Sequence, residues 1–177
     1  MARIAKLGNL LRRRARRFKS DDDGVTIIEF ALLAFPFFAL MGAILETGLY
    51  LFASQVFDSA VDDASRTILV GTATNSQSDF RNKICETTFG LIECDRIKIR
   101  IRPIASFSAA NPTPPVDADG NWVLTEQMNA GSPRQVMLVE AYYKWSTFLS
   151  FDYGFQKYGN TVLLSSARVF MNEPGAG

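Results

Sequence analysis

The sequence of 177 residues predicts an α+β protein, in which a long N-terminal transmembrane helix extends into a small exported head with an antiparallel sheet. Three observations lead to this prediction. Residues 1–20 carry eight bases and no acid, residues 25–53 are almost entirely apolar, and later stretches alternate apolar and polar residues with a period of two. We therefore divide the chain into a basic leader (1–24), a transmembrane and amphipathic helix (25–70) and a head (71–177).

The charge of the chain is strongly asymmetric. The formal net charge is only +1, yet the bases of the leader are followed at once by Asp21, Asp22 and Asp23. The leader therefore carries +5, and the remaining chain carries −4. A basic leader on an otherwise acidic chain does not indicate a nucleic-acid-binding protein.

The residue types that most enzymes need are missing or scattered. The sequence contains no histidine, which excludes histidine-dependent catalysis and the commonest metal ligand. No paired nucleophile, metal-ligand set or glycine-rich phosphate loop stands out, so we expect no enzyme, no cofactor, no metal site and no small-molecule substrate. Cys85 and Cys94 are too few for a zinc site. Outside the cytoplasm they would form a disulfide, and otherwise they are two unpaired thiols.

The apolar segment has the composition of a membrane span. The uncharged stretch from Phe30 to Leu45 is 16 residues long, about 24 Å as a helix, against a hydrocarbon core of about 30 Å. Glu29 and Glu46 therefore lie near opposite membrane boundaries, where a charge costs less than at the centre. Pro36 predicts a kink that a membrane helix tolerates.

The flanking charges predict the orientation. Bases occur before the span and none occurs between Val25 and Gln55, so we expect the N-terminus to be cytoplasmic and everything after about residue 50 to be exported. The alternative, a buried core helix of a soluble protein, does not explain the one-sided arginines.

The helical pattern continues beyond the membrane and predicts a buried face. Apolar residues recur at helical spacing at Phe57, Val61, Ala64 and Ile68. On another face, Asp62 and Arg66 form a candidate i,i+4 ion pair. Gly71 predicts the end of the helix.

The head shows candidate strands with one short helix. We predict a helix at 80–89, a loop at 108–121, and strands at 96–102, 122–125, 134–149 and 161–172.

The junction between leader and span is the most specific motif. The leader ends at Gly24, and the apolar helix that starts at Val25 has glutamate, Glu29, as its fifth residue. A prepilin peptidase recognises this pattern. The alternatives are a plain signal anchor, in which Gly24 merely bounds the helix, and a secretory signal peptide, whose apolar region would be shorter.

Cleavage after Gly24 would create a charge partner for Glu29. The new amino group on Val25 would be positive at neutral pH and one helical turn from Glu29. A carboxylate in a low-dielectric setting is stabilised by a cation, and the amine of a neighbouring subunit would give an axially offset pairing.

These features resemble the TadE-like family, the minor pseudopilins of tight-adherence (Flp-type, type IVc) pilus systems. The resemblance is most specific over residues 20–70. It is carried by Gly24, Glu29-Phe30-Ala31, Pro36, Gly42, Glu46, Gly48, Ala64-Ser65-Arg66, and Arg168 with Glu173-Pro174.

The resemblance implies a non-enzymatic role in assembly or initiation of a pilus. It implies processing by prepilin peptidase between Gly24 and Val25, with Glu29 as the recognition and assembly residue. The protein would lie in the bacterial inner membrane with its head in the periplasm, or would enter the pilus. Its partners would be sister pseudopilin or pilin subunits and the lipid of the inner membrane. The alternative is an uncleaved, single-pass anchor for a periplasmic binding domain that is not part of a pilus.

Three weaker patterns have simple structural interpretations. The segment 117–121 resembles a calcium loop but lacks the EF-hand spacing, so we predict a tight turn. The aromatic-rich segment 142–158 is interpreted as core, with an exposed docking patch as the alternative. Lys98, Arg100 and Arg102 are interpreted as a solvated or edge-protecting strand face.

Overall fold

The computed structural model describes residues 23–148 and 157–174. Two helices and five strands follow one another in this part of the chain. They are α1 (Asp23–Leu69), α2 (Gln77–Glu86), β1 (Lys98–Ile104), β2 (Gln127–Met128), β3 (Val136–Ser146), β4 (Lys157–Tyr158) and β5 (Thr161–Met171). The chain divides into two compact units, Met1–Ile44 and Leu45–Gly177. The prediction of an α+β fold with a long N-terminal apolar helix is confirmed.

The sheet is mixed, whereas the sequence predicted an antiparallel one. Its strand order is β2-β1-β3-β5-β4, and only the short β2 runs parallel to its neighbour, β1. The strand predicted at 122–125 is wrong in position, because the amides of Val123 and Leu124 donate to the Pro115 carbonyl instead of joining the sheet. The chain reaches the sheet edge only at β2.

One face of the sheet packs against the second half of α1. The predicted helix face, Phe57, Val61, Ala64 and Ile68, is buried, as the helical spacing of its apolar residues requires. The sheet contributes alternate residues of its strands to the same core, and Ile97, just before β1, joins them. The strand residues are Ile99, Ile101, Met137, Val139, Ala141, Tyr143 and Leu164. This core stabilises the head.

The other face of the sheet is covered by the proline-rich loop 108–121. Thr113 of this loop accepts a hydrogen bond from Arg100, and Lys144 donates to the Gly120 carbonyl. The ammonium group of Lys144 also lies 4.5 Å from the centre of the Trp122 ring, a cation–π contact. The loop is therefore attached to the sheet at several points.

The connection after α1 and the turn in the loop have the predicted geometry. Gly71 adopts φ +74°, and the amides of Thr72 and Ala73 both donate to the Thr67 carbonyl, which ends α1. At 117–121 a tight turn forms around Asp117, whose carboxylate accepts the Asn121 amide at 2.7 Å. The interpretation of this segment as a turn is confirmed.

Candidate functional site

The predicted cleavage junction lies at the beginning of α1. Asp23 and Gly24 are already helical, so the bond between Gly24 and Val25 belongs to the first turn. Val25 and Glu29 are four residues apart and share one face of the helix. The side chains from Val25 to Phe30 are all exposed. Of the basic leader, only Asp23 and Gly24 fall within the described residues.

The first half of α1 presents apolar side chains all round. The helix from Val25 to Leu69 contains an 18-residue window of mean hydropathy 2.2, of which none is buried. Its exposed large side chains before residue 46 are Val25, Ile27, Ile28, Phe30, Leu32, Leu33, Phe35, Phe37, Phe38, Leu40, Met41, Ile44 and Leu45. In the part of the chain that the structure describes, this is the one helix long and apolar enough to cross a membrane.

Glu46 and Glu29 differ in their surroundings. Glu29 is exposed, whereas Glu46 is 7% exposed and its carboxylate accepts a hydrogen bond from the backbone amide of Phe148. The chain after β3 therefore covers the second glutamate. The sequence placed both glutamates at the ends of the span but did not predict this contact.

An ion-pair cluster connects α1 to β5. The Arg168 guanidinium donates to Asp58 at 2.7 Å and to Asp62 at 2.8 Å, and Ser166 donates to the other Asp58 oxygen at 2.7 Å. The hydrogen bond to Asp58, followed by that to Asp62, raises the pKa of Arg168 although burial opposes this. The predicted pair between Asp62 and Arg66 is wrong, because Arg168 faces the helix from β5 and takes Asp62 as its partner.

A second cluster surrounds Glu126, just before β2. Its carboxylate accepts hydrogen bonds from Arg81 at 3.0 Å, Lys98 at 3.0 Å and the Ile99 amide at 3.2 Å. Desolvation by burial would raise the pKa of Glu126, but the bonds from Lys98 and the Ile99 amide, with the charges of Lys98 and Arg81, outweigh it and lower the pKa. Glu126 thus connects α2 to the sheet edge.

The third cluster is buried between the sheet and the loop 108–121. Glu140 is 0% exposed and accepts two hydrogen bonds from the Arg100 guanidinium, at 2.7 and 2.8 Å, and one from the Tyr142 hydroxyl at 3.0 Å. Arg102 lies 3.8 Å from the same carboxylate. Desolvation, and then the charge of Glu140, raises the pKa of Tyr142 to about 12.

These contacts change the interpretation of the bases on β1. Because β1 lies between β2 and β3, Lys98, Arg100 and Arg102 do not protect a free edge. They neutralise Glu126 and Glu140 instead, so their interpretation as a solvated or edge-protecting surface is wrong. An isolated glutamate within the apolar run of β3 was the one indication of such a buried partner.

The two cysteines are bonded in the structure. Cys85 at the end of α2 and Cys94 are joined with an S–S distance of 2.05 Å across nine residues of sequence. Their loop presents Phe89, which is 85% exposed and has φ +51°. The ring of Phe89 lies beside α1, on a groove of about 500 Å³ that Gln55 and Asp63 also line.

The aromatic-rich segment is divided between core and surface. Tyr142 and Tyr143 are buried, in agreement with the interpretation as core, whereas Phe148 is 87% exposed. Three aromatic residues of the segment, Phe151, Tyr153 and Phe155, lie outside the described residues.

The described residues contain no group of three or more histidine, cysteine, aspartate or glutamate side chains that could hold a metal ion. The acidic side chains of the three clusters are all paired with bases. Their arrangement holds the head together. The exposed large apolar side chains lie mostly on the first half of α1, and the head exposes isolated ones such as Phe89 and Phe148.

Part of the chain matches a known family. The family model described as TadE-like protein matches residues 24–66, which confirms the resemblance inferred from this part of the sequence. The match begins at the glycine of the junction and ends within the buried half of α1. No curated protein and no solved structure matches the chain.

Proposed function

We propose that this chain, TadE-like over residues 24–66, is a minor pseudopilin that prepilin peptidase cuts after Gly24 and that takes part in the assembly or initiation of a tight-adherence pilus. The family match supports a role associated with such pili. The observation that carries the proposal is that the match covers the junction, the apolar half of α1 and the beginning of its buried half in one segment.

The local structure of the junction suits a protease substrate. Proteases act on extended backbone, so the first turn of α1 must unwind before the bond between Gly24 and Val25 can be cut. Glycine lowers helix stability by about 1 kcal/mol relative to alanine, and a helix end has few hydrogen bonds to lose. Gly24 therefore lowers the cost of opening the helix at the proposed cleavage site.

Glu29 has a role after cleavage in this proposal. The new amino group on Val25 and the Glu29 carboxylate lie one turn apart at the cytoplasmic end of the span. Pairing Glu29 with the Val25 amine of a neighbouring subunit would neutralise both charges and set the axial offset between the two helices.

The leader charges support the proposed orientation. Eight bases before the span favour an N-terminus in the cytoplasm and a head in the periplasm. A disulfide between Cys85 and Cys94 suits that oxidising compartment. We further propose that the role is non-enzymatic and that sister pseudopilin or pilin subunits are the partners.

The mass of the mature protein tests the proposal. The full chain is expressed with and without an active prepilin peptidase, and the membrane-extracted protein is analysed by intact mass spectrometry and N-terminal sequencing. We expect a loss of about 2.8 kDa, the mass of residues 1–24, and a new N-terminus at Val25 only when the peptidase is active. A chain that still begins at Met1 would instead support the uncleaved periplasmic anchor.

Substitution of Glu29 separates its role in recognition by prepilin peptidase from its role in pilus assembly. In Glu29→Ala the amine of Val25 loses its partner, so incorporation into pili or pseudopilin complexes should fall even where cleavage persists. Ser54→Ala, a small change elsewhere on α1, is the control. Normal incorporation of Glu29→Ala would refute the assembly role of Glu29.

A further inference from the structure

We propose that Phe148 is inserted into the outer leaflet of the membrane, so that lipid holds the head at a second point besides α1. The inference rests on the membrane span of the proposed function, but not on cleavage by the peptidase or on a pilus. The ligand is the boundary between headgroups and acyl chains, which favours aromatic side chains.

The length of the membrane span indicates how deep Glu46 lies. The uncharged stretch of residues 30–45 covers about 24 Å of a hydrocarbon core of about 30 Å. The missing 6 Å corresponds to about four further residues, so a core that begins at Glu29 ends near Leu49. Glu46 therefore lies in the last turn of the span, at the outer boundary of the membrane.

Phe148 lies at the same depth as Glu46, because the two residues are hydrogen-bonded. The Phe148 amide donates to the Glu46 carboxylate, and Glu46 is nearly fully buried. Near hydrocarbon, an amide and a carboxylate are each costly unless they are hydrogen-bonded. The contact satisfies the amide and shields the carboxylate, as both groups require at that depth.

The aromatic ring of Phe148 is exposed at this depth. Phe148 is 87% exposed, and Leu45 and Leu49, within one turn of Glu46 on α1, are exposed as well. Exposed aromatic and aliphatic side chains at the end of a membrane span are stabilised by lipid. In water the same ring would be an unfavourable exposed apolar group.

Phe89 provides a matched comparison. Its ring is 85% exposed, but it lines a groove with Gln55 and Asp63, between 9 and 17 residues beyond Glu46. At 1.5 Å per residue, this is about 14–25 Å farther along α1. Phe89 should therefore lie outside the bilayer although its exposure equals that of Phe148.

Fluorescence quenching by brominated lipids tests the inference. The full-length protein is reconstituted in phosphatidylcholine vesicles brominated at shallow or deep acyl positions. The variants are Phe148→Trp, Phe89→Trp and Phe38→Trp, and the emission of the unsubstituted protein, which contains Trp122 and Trp145, is subtracted. All three replaced side chains are exposed, so tryptophan is accommodated, and near-UV circular dichroism checks the fold.

The expected results differ among the three variants. For Phe148→Trp, shallow bromine should quench at least about half of the emission of the introduced tryptophan, that is, the emission left after the subtraction. Deep bromine should quench less of it. For Phe38→Trp, deep bromine should quench strongly, and for Phe89→Trp neither should quench.

Each other outcome overturns a specific statement. If Phe38→Trp is quenched and Phe148→Trp is not, the inference is wrong and the membrane span stands. If blue-shifted emission accompanies the unquenched Phe148→Trp, the ring contacts a second protein chain instead of lipid. If Phe38→Trp is not quenched either, the span itself is wrong. Equal quenching of Phe89→Trp and Phe148→Trp would also contradict the inference, because the two sites would not differ in depth.

Discussion

Replacing Arg100 with methionine should strongly destabilise the head. The change removes two charged hydrogen bonds from a carboxylate, Glu140, that is fully buried. Breaking a buried ion pair by removing one partner costs about 3–5 kcal/mol, because the remaining charge is left without compensation. Glu140 would keep the Tyr142 hydroxyl at 3.0 Å and has Arg102 at 3.8 Å, so we expect the lower end, about 3 kcal/mol.

Urea unfolding of the full-length protein in detergent micelles, followed by near-UV circular dichroism, measures this loss. With a slope of about 2 kcal/mol per molar urea, the midpoint of Arg100→Met should fall by about 1.5 M. Lys83→Ala is the control, since it also removes a base from an ion pair, but from the exposed pair with Glu86. Because that pair is exposed to solvent, its loss should leave the urea midpoint nearly unchanged.

A double variant tests whether the unpaired Glu140 carboxylate causes the loss of stability in Arg100→Met. Arg100→Met combined with Glu140→Leu leaves no buried carboxylate, and the main remaining defect is the unpaired Tyr142 hydroxyl, worth about 1 kcal/mol. The double variant should therefore be more stable than Arg100→Met alone. The reasoning is refuted if the single variant unfolds within about 0.5 kcal/mol of the unsubstituted protein, or if the double variant is as unstable as the single one.

Three further changes should each affect stability in a defined way. Replacing Cys85 and Cys94 with serine should cost about 2–3 kcal/mol, as expected for a loop of nine residues, and unfolding with and without reductant measures it. Arg168→Met removes two partly exposed ion pairs, to Asp58 and Asp62, and should lower the free energy of unfolding by about 1 kcal/mol, whereas a loss above about 3 would contradict this. Because the folded-state pKa of Glu126 is lowered, its contribution is complete above the unfolded-state pKa and is lost as the pH falls towards the folded-state value. Glu126→Gln should therefore flatten the loss of stability between about pH 5 and 3, and an unchanged pH profile would contradict this.

The features that depend on local periodicity could be predicted from the sequence. The bounds of α1, its buried face and the long strands β3 and β5 follow from helical or two-residue spacing of apolar residues. The junction at Gly24 also consists of contiguous residues and lies in the segment that the family model matches, and cleavage there stays a prediction.

The ionic clusters could not be predicted, because their members are far apart in the sequence. Arg100 and Glu140 are 40 residues apart and become neighbours only through the pairing of β1 with β3. Arg168 lies 106 residues from Asp62, so the local pair with Arg66 looked more favourable than it is. Charge pairing across a sheet depends on register, and the local pattern of a single strand does not contain the register.

The strand predicted at 122–125 failed for a related reason. Its residues alternate suitably, but the amides of Val123 and Leu124 donate to the Pro115 carbonyl instead of to a strand. Local propensity is easily overridden by such tertiary contacts.

The separation between β1 and its partner has a consequence for how the head forms during translocation. In the proposed orientation β1 enters the periplasm well before β3. The three isoleucines of β1 therefore have no neighbouring strand while the rest of the polypeptide crosses the membrane. Lys98, Arg100 and Arg102 alternate with them, and such charged gatekeepers discourage a nascent apolar strand from aggregating. When β3 pairs with β1, Glu140 neutralises Arg100, so the same bases protect the unfinished chain first and stabilise the folded head afterwards.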